Sequence, residues 1–435
     1  MSRRSRKRGA ANPSALPIWC AAAAVFGIGF AGLLVNRLSQ APELPLGHLR
    51  AAAFFLTVLG VLAAVSGRGE SVRLLAAAWT LVGMGLLARL RLGGAETAWP
   101  TLRADWGLPI GAVLLIGVYR TLRAGRHRSL ESVWWAAGLL ALGVLAFLLA
   151  MGRRFRGGLY LFGLTNPSEA AKLFLPLCFA GVLARREVGP GRGWLPALSP
   201  GTVMALAVFG GGSLLLLALV RDFGFALLLA ATVVVMFALA TGRPSHALAG
   251  LLLAALAAAA AFHWVPHARI RWDVWRDPFR DEAGSGWQSL QGLAALYHGG
   301  LWGRGLGAGF PHLVPIASSD FVYAVWGEEI GFAGCGLMLL LYLVVFSSGL
   351  RISGAQRDPF SRLLAGGLTT ALAAQTLVHV AGVTKAMPLT GVPLPFVSHG
   401  GSSLVVSLAA VGLLAAIGES AAGGAPRPNR KSNRK

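Results

Sequence analysis

Charged residues are scarce in this chain, and acidic residues are the scarcest of them. Asp and Glu together account for 17 of the 435 residues, and all charged types make up 13% of the sequence. A soluble globular protein has about 25% charged residues. With 55% hydrophobic residues, the composition excludes an ordinary soluble domain and predicts an all-α polytopic membrane protein.

Cysteine is also rare. The three cysteines, Cys20, Cys178 and Cys335, all lie within apolar runs, which excludes a disulfide framework and a cysteine-based metal site. The first apolar run, from about Leu16, lacks a convincing cleavage site and is long enough to span a membrane. We therefore expect it to be a transmembrane helix rather than a cleaved signal peptide.

Basic residues outnumber acidic ones, which gives a net charge of +22. Ten of the basic residues lie in two short tails, SRRSRKR near the start and RPNRKSNRK at the end. Lys and Arg collect on the cytoplasmic side of membrane proteins, where they face anionic lipid. The charge thus predicts basic cytoplasmic tails at 1–16 and 419–435, and it does not indicate a nucleic-acid partner.

About twelve apolar runs are candidates for the ~20-residue helices that cross a ~30 Å hydrocarbon core. An even number of spans places both tails on one side of the membrane. Their basic residues make it the cytoplasmic side, and the loop 267–319 then lies outside. Arg153 and Arg154 also lie outside, against the positive-inside rule, so they indicate an anionic ligand. The runs are 17–36, 49–66, 72–90, 107–119, 131–151, 168–184, 201–220, 222–241, 246–265, 320–349, 361–384 and 401–418.

The loop 267–319 concentrates the polar chemistry of the chain. It holds four acids, among them Asp277 and Asp281, with five arginines and many glycines. A solvated loop with ordinary charge pairs is one interpretation. The segment 284–288 (GSGWQ) favours a ligand site, because glycine permits close backbone approach and Trp and Gln are typical sugar contacts. The run 299–307 (GGLWGRGLG) fits a turn whose backbone N–H groups cradle an anion, and close packing within the membrane, which glycine also permits, is the alternative.

The segment 166–172 (NPSEAAK) opens a spanning helix. Asn suits the cap, Pro the first helical position, and Glu at the third can reach back to the cap. Glu169 and Lys172 are three residues apart and share a helix face. Because ionisable residues within spans are usually paired and often functional, a functional pair and a purely structural pair both remain open.

Two further segments interrupt the apolar pattern. The turn 221–224 (RDFG) is a tight outer turn by composition, with a cavity-lining Asp222 as the alternative. The prolines within 388–403 exclude regular helix. Irregular backbone at membrane depth is tolerated where it is buried or lines a cavity, so this segment, which follows Lys385, is predicted to be re-entrant or cavity-lining.

These motifs together resemble the SEDS family (shape, elongation, division and sporulation), the RodA/FtsW-like proteins. NPSEAAK resembles the family's QPSE-x-x-K, and RDFG resembles a degraded PDLG turn. SDFVYAVWGEEIGF (319–332) is similar to TDFIFAVIGEELGF, and the block at 388–403 is similar to P-T-x-G-x-x-LPFISYGGSS. The resemblance covers 72–418 and implies a ten-helix core, so the helices at 17–66 are additional N-terminal spans.

The resemblance implies a peptidoglycan glycosyltransferase, an inverting hexosyltransferase that polymerises lipid II at the outer face of the bacterial cytoplasmic membrane during elongation or division. The implied partner is a class B penicillin-binding protein, which is a transpeptidase. Two alternatives remain: a flippase or transporter of a lipid-linked precursor, and a non-catalytic scaffold for a transpeptidase. A transporter often has repeated halves, and no internal repeat is visible in the sequence.

The family places an essential aspartate in its large loop, within [ND]P-x-x-DP-x-G-x-G-Y-Q. DPFRDEAGSGWQ (277–288) aligns without a gap, so Asp281 takes the catalytic position as general base. Glu282 replaces the usual proline, which keeps Asp277 as the fallback. No cofactor is certain, and a divalent cation that shields the diphosphate is left open because no ligand cluster is visible. The candidate substrate- and diphosphate-binding residues are Arg153, Arg154, Glu169, Lys172, Gln288, Arg304, Lys385 and Ser398.

Overall fold

The basic tails predicted at 1–16 and 419–435 lie almost entirely outside the described part of the chain, although the last helix continues to Ala422. The structure is a computed structural model. It describes residues 16–40, 46–67, 69–92, 106–155, 158–161, 166–185, 188–189 and 197–422.

Helices dominate the described residues. Ten of them are long and apolar enough to span a membrane, and shorter apolar helices at Gly107–Leu122 and Pro244–Leu256 match the two remaining predicted runs. The predicted polytopic helical fold is therefore confirmed. The helices are α1 (Leu16–Gln40), α2 (Leu46–Val65), α3 (Glu70–Leu92), α4 (Gly107–Leu122), α5 (Trp134–Met151), α6 (Ala171–Ala184), α7 (Pro200–Val220, with a π-helical turn at Leu206–Gly211), α8 (Phe223–Thr241), α9 (Pro244–Trp264), α10 (Pro266–Arg276), α11 (Trp287–Gly299), α12 (Val322–Ala355), α13 (Pro359–Val383) and α14 (Gly401–Ala422).

Two small antiparallel hairpins were not expected from the sequence. Strand β1 (Arg153–Phe155) pairs with β2 (Gly158–Tyr160), and β3 (Val188–Gly189) pairs with β4 (Ala197–Leu198). Each strand has only two or three residues, and sequence periodicity cannot identify a strand over so short a length. The hairpins lie in connections between helices and leave the helical architecture unchanged.

Contacts between distant helices show which helix ends lie together. At one end, Glu70 of α3 pairs with Arg351 of α12 at 3.2 Å. At the other end, Arg91 of α3 pairs with Glu329 of α12 at 3.1 Å and donates to the Gly309 carbonyl at 3.0 Å. The large loop that contains Gly309 therefore lies at this second end, which we call the loop face.

The first two helices, α1 and α2, pack directly on α3. Phe26 of α1 stacks on Phe55 of α2 with ring centroids 4.0 Å apart, and Phe55 stacks on Trp79 of α3 at 5.4 Å. The Trp79 indole N–H also donates to the Phe55 carbonyl at 3.3 Å. A Cβ at Gly83 would lie 2.9 Å from the Phe55 ring, so glycine is what allows this close packing. Helix α3 is consequently buried on all sides.

Gly331 kinks α12 near the loop face. Its φ of 68° lies in the left-handed region, which glycine adopts without steric cost. Backbone groups of α12 next to the kink pair with the glycine-rich loop; for example, the Arg304 N–H donates to the Glu328 carbonyl at 2.9 Å. A Cβ at Gly331 would lie only 2.3 Å from the Gly303 nitrogen. The loop and the kink therefore fit together only with glycine at 331.

Replacing Gly331 by Ala is expected to destabilise the protein. A non-glycine residue in the left-handed region costs about 1–2 kcal/mol, and the overlap with Gly303 adds to that cost. A lower melting temperature of the detergent-purified protein would show it. Gly336→Ala is the matched control, because Gly336 lies in the same helix and a Cβ there meets nothing within 4 Å. Equal melting temperatures for the two variants would contradict the role assigned to Gly331.

Candidate functional site

A cavity of about 400 Å³ lies at the loop face between α10, α11 and the irregular chain that follows α13. Helix α10 contributes Arg271 and Trp275 to its wall, α11 contributes Gln288 and Leu293, and the chain after α13 contributes Lys385. Ligand sites are concave, mostly apolar and carry a few placed polar groups. The wall carries two cations, Arg271 and Lys385, and the acid Asp320, together with serine, glutamine, apolar and aromatic side chains.

Arg271 lines the cavity, although it was not among the residues predicted from the sequence. One of its guanidinium nitrogens donates to the Leu389 carbonyl at 3.0 Å. Burial lowers the pKa of Arg271, whereas the nearby carboxylates of Asp222 and Asp320 raise it. Asp222 does not line the cavity; its carboxylate accepts the Phe225 N–H at 3.1 Å and caps α8, which agrees with the tight-turn interpretation of the RDFG segment. The spacing of Arg271 and Trp275 at i and i+4 on an amphipathic helix is the signal that could have identified them.

Lys385, one of the predicted binding residues, lines the cavity. Its backbone fixes its position. Its φ of 61° is left-handed, and its carbonyl accepts the indole N–H of Trp275 at 3.0 Å. Gln288 is exposed and lines the same cavity. The structure therefore brings two of the predicted binding residues, Lys385 and Gln288, together with Arg271.

Asp281 lies at the end of a short 3₁₀ turn, Pro278–Asp281, next to the cavity. Its Oδ2 accepts two hydrogen bonds from Ser285, from the backbone N–H at 2.7 Å and from the hydroxyl at 2.8 Å. These bonds lower the pKa of Asp281, because they stabilise the carboxylate. Ser285 itself lines the cavity. The carboxylate is thus ionised and exposed, and it is connected to the cavity wall through its contact with Ser285.

The two glycines after Asp281 have a steric explanation. A Cβ at Gly284 would lie 2.4 Å from the Asp281 carboxylate, and a Cβ at Gly286 would lie 2.0 Å from the Pro278 carbonyl. The turn that presents the carboxylate therefore requires both. Glu282 has φ −63° and ψ −35°, and this φ is the value that a proline ring imposes.

Asp277, the fallback for the catalytic position, has a local role. Its carboxylate accepts the Phe279 N–H at 3.1 Å and caps the 3₁₀ turn that leads to Asp281. Asp277 does not line the cavity. Asp281 does not line the cavity either, but its carboxylate contacts Ser285, which does.

Glu169 and Lys172 form a buried ion pair at the start of α6. The Lys172 ammonium also donates to the Gln375 side-chain carbonyl at 2.5 Å and to the Ser403 hydroxyl at 3.4 Å. The amide of Gln375 in turn donates to the Pro393 carbonyl at 2.7 Å. This network ties α6, α13, α14 and the proline-rich segment together. Both predicted residues lie in it and neither lines the cavity.

Ser398 holds the proline-rich segment in place. Its hydroxyl donates to the Ser319 carbonyl at 2.7 Å and accepts the Leu394 N–H at 2.8 Å. The Tyr342 hydroxyl donates to the Pro395 carbonyl nearby. The segment is irregular and largely buried, in agreement with the prediction from its prolines. The Ser398 hydroxyl is bonded to two protein partners in this arrangement.

The glycine-rich run 299–307 binds a carboxylate of the chain itself. The Gly307 N–H donates to the Glu329 side chain at 3.1 Å, and the Gly305 N–H donates to the Glu329 carbonyl at 3.0 Å. Arg304 lies 3.6 Å from the Glu328 carboxylate. The prediction that these N–H groups cradle an external anion is therefore wrong for the described conformation, because Glu329 already takes that place.

The two remaining predicted residues, Arg153 and Arg154, lie in the β1–β2 hairpin. Arg153 is exposed at the start of the β1–β2 hairpin, and Arg154 pairs with Leu159 in its backbone register. The side chain of Arg154 lies outside the described residues. In the described part of the chain, no group of three or more His, Cys, Asp or Glu side chains is arranged to hold a metal ion.

Comparison with known proteins supports the resemblance. A family model for cell cycle proteins, FtsW/RodA/SpoVE, matches residues 96–422. Peptidoglycan glycosyltransferase RodA of Mycobacterium tuberculosis is 38% identical over 273 residues, which are 61% of this chain and 57% of the relative. RodA of Mycobacterium leprae is 35% identical over 325 residues, 73% of this chain and 69% of the relative. The chain thus spans little more than half of the M. tuberculosis protein.

Solved structures show the same architecture. One chain comes from a structure described as the structural coordination of polymerization and crosslinking by a peptidoglycan synthase complex; it has a TM-score of 0.64 and 26% identity, covering 80% of this chain and 97% of that chain. Rod shape determining protein RodA of Thermus thermophilus has a TM-score of 0.56 and 26% identity, with 79% and 95% coverage. The chain belongs to the FtsW/RodA/SpoVE family of cell cycle proteins.

Proposed function

We propose that the chain is a peptidoglycan glycosyltransferase that polymerises lipid II. The observation that carries this proposal is the position of the Asp281 carboxylate, which Ser285 holds beside a cavity that contains Arg271 and Lys385. A glycosyl transfer from a diphosphate donor needs a base for the acceptor hydroxyl and cations for the leaving group. The names of the mycobacterial relatives support the same activity.

In the proposed reaction, Asp281 removes the proton from the 4-hydroxyl of the acceptor sugar. The electron pair freed on that oxygen forms a bond to the anomeric carbon of the donor, with inversion at that carbon. The bond from that carbon to the diphosphate oxygen breaks, and undecaprenyl pyrophosphate leaves with the bonding electrons. Arg271 and Lys385 stabilise its charge, because preorganised cations act strongly in a water-excluded site. Gln288 is placed on the cavity wall to contact a sugar.

The proposed setting is the bacterial cytoplasmic membrane, with the loop face outside and both chain ends in the cytoplasm. The partner is a class B penicillin-binding protein, and the structural neighbour from a peptidoglycan synthase complex supports a partner of this kind. A divalent cation would shield the charge of the diphosphate in this reaction. Polymerisation during elongation and during division are both compatible with this chemistry.

Replacing Asp281 by Asn is expected to reduce polymerisation by about 10²–10⁴-fold, the usual contribution of a general base. The purified protein, combined with its transpeptidase partner and lipid II, is assayed for glycan strands on gels. Glu282→Gln is the matched control, because it removes one carboxylate from the neighbouring exposed position and should keep its activity. A flippase or scaffold predicts that no strands form even with the unmodified protein. Retention of more than about a tenth of the activity by D281N would exclude Asp281 as the base.

Replacing Arg271 by Gln is expected to lower polymerisation by about 10²–10³-fold, as the loss of one preorganised group at a developing charge typically does. Arg269→Gln is the control, because Arg269 is exposed on the same helix and does not line the cavity. Both variants lose one positive charge, so a general electrostatic effect would reduce them equally. Such an equal reduction would contradict a specific role of Arg271 in the cavity.

A further inference from the structure

We infer that Ser285 is a positioning residue for Asp281, an inference that rests on the proposed glycosyl transfer. Its backbone N–H and its hydroxyl both donate to the same carboxylate oxygen, Oδ2, at 2.7 and 2.8 Å. Two donors from one residue fix that oxygen relative to the loop backbone. The other oxygen, Oδ1, is then the one that receives the proton from the acceptor hydroxyl.

The location of Ser285 supports this role. Ser285 lines the cavity, whereas Asp281 does not, so the serine joins the carboxylate to the space where the acceptor sugar would bind. The lack of a side chain at Gly284 and Gly286 allows the turn to close around this contact, because a Cβ at Gly284 would collide with the carboxylate. Each residue of the segment 284–286 (GSG) thus has a role. The two glycines allow the turn to close, and the Ser285 hydroxyl holds the carboxylate of Asp281.

Among the residues around Asp281, Ser285 has the largest effect on its pKa. Among the described residues no ion pair includes Asp281, and the flanking Arg280 and Glu282 are exposed. Helix α10 ends nearby with the exposed Arg276 and Asp277, and α11 begins with the non-titratable Trp287 and Gln288. The Ser285 hydrogen bonds are the largest cause that lowers the pKa of Asp281. Removing the hydroxyl therefore raises that pKa.

The sign of the pH effect follows from this cause. Polymerisation needs ionised Asp281, so its rate falls as the pH drops through the pKa of this group. A variant without the serine hydroxyl loses a bond that favours the carboxylate, and its acid limb lies at higher pH. A hydroxyl that only closed the turn would affect folding stability and leave the acid limb of the active fraction unchanged.

The test uses the full-length protein with its transpeptidase partner and lipid II, and it measures kcat, KM and the pH profile of polymerisation. Ser285→Ala is expected to lower kcat about tenfold, because a misplaced catalytic group loses orientation, with KM for lipid II nearly unchanged and the acid limb at higher pH. Ser285→Thr keeps the hydroxyl and should restore both. Glu282→Gln is the control that should keep the wild-type acid limb.

The outcomes are distinguishable. If D281N is inactive and S285A has wild-type kcat and acid limb, this inference is wrong and the proposed function stands. If S285T fails to restore what S285A loses, the hydroxyl is not the cause and the inference is again overturned. If D281N is active, Asp281 is not the base and both fail. Should S285A not fold, Ser285→Cys keeps a weaker donor, and an acid limb equal to that of the wild type would contradict the inference.

Discussion

Two buried carboxylates on α12 determine where the loop face is built. Glu328 and Glu329 are almost inaccessible to solvent, and an unpaired charge in such a place is costly. Glu329 pairs with Arg91 of α3 and accepts the Gly307 N–H, while Glu328 accepts the Phe310 N–H at 3.1 Å. Removing one member of a buried pair costs about 3–5 kcal/mol. The need to pair these two acids therefore holds the second half of the large loop on α12.

A second buried network holds the opposite side of the cavity. Lys172 and Gln375 connect three helices to the carbonyl of Pro393, so the irregular chain after α13 has a fixed course. That chain carries Lys385 and presents Leu389 to Arg271. Arg271, Lys385, Asp320 and Gln288 line the cavity beside this chain. Ser285, which also lines it, connects the wall to the Asp281 carboxylate.

The sequence predicted the spans well, because hydrocarbon thickness sets the helix length and each apolar run is local information. An ungapped match to the family loop also selects Asp281 as the base, and that role stays a prediction. The sequence did not predict Arg271 as a cavity residue, or Gln375 and Ser403 as partners of Lys172. Those contacts join residues far apart in the chain and depend on how the helices pack. The glycine run 299–307 was assigned to an external anion because composition cannot tell a ligand from the chain's own Glu329.

The segments that most closely resemble the family mainly hold other parts of the chain in place. The GEE sequence on α12 and the serine-rich start of α14 bind other parts of the chain, as Glu329 and Ser403 show. The proposed base lies instead on an exposed turn, and its exposure has a physical reason. Burial would raise the pKa of Asp281 and favour the neutral acid, which cannot accept a proton. Exposure and the hydrogen bonds from Ser285 both favour the carboxylate, while the cations Arg271 and Lys385 lie in the neighbouring cavity wall. An exposed base beside cations in a cavity suits the proposed reaction, in which a sugar hydroxyl loses its proton and a lipid-linked diphosphate leaves.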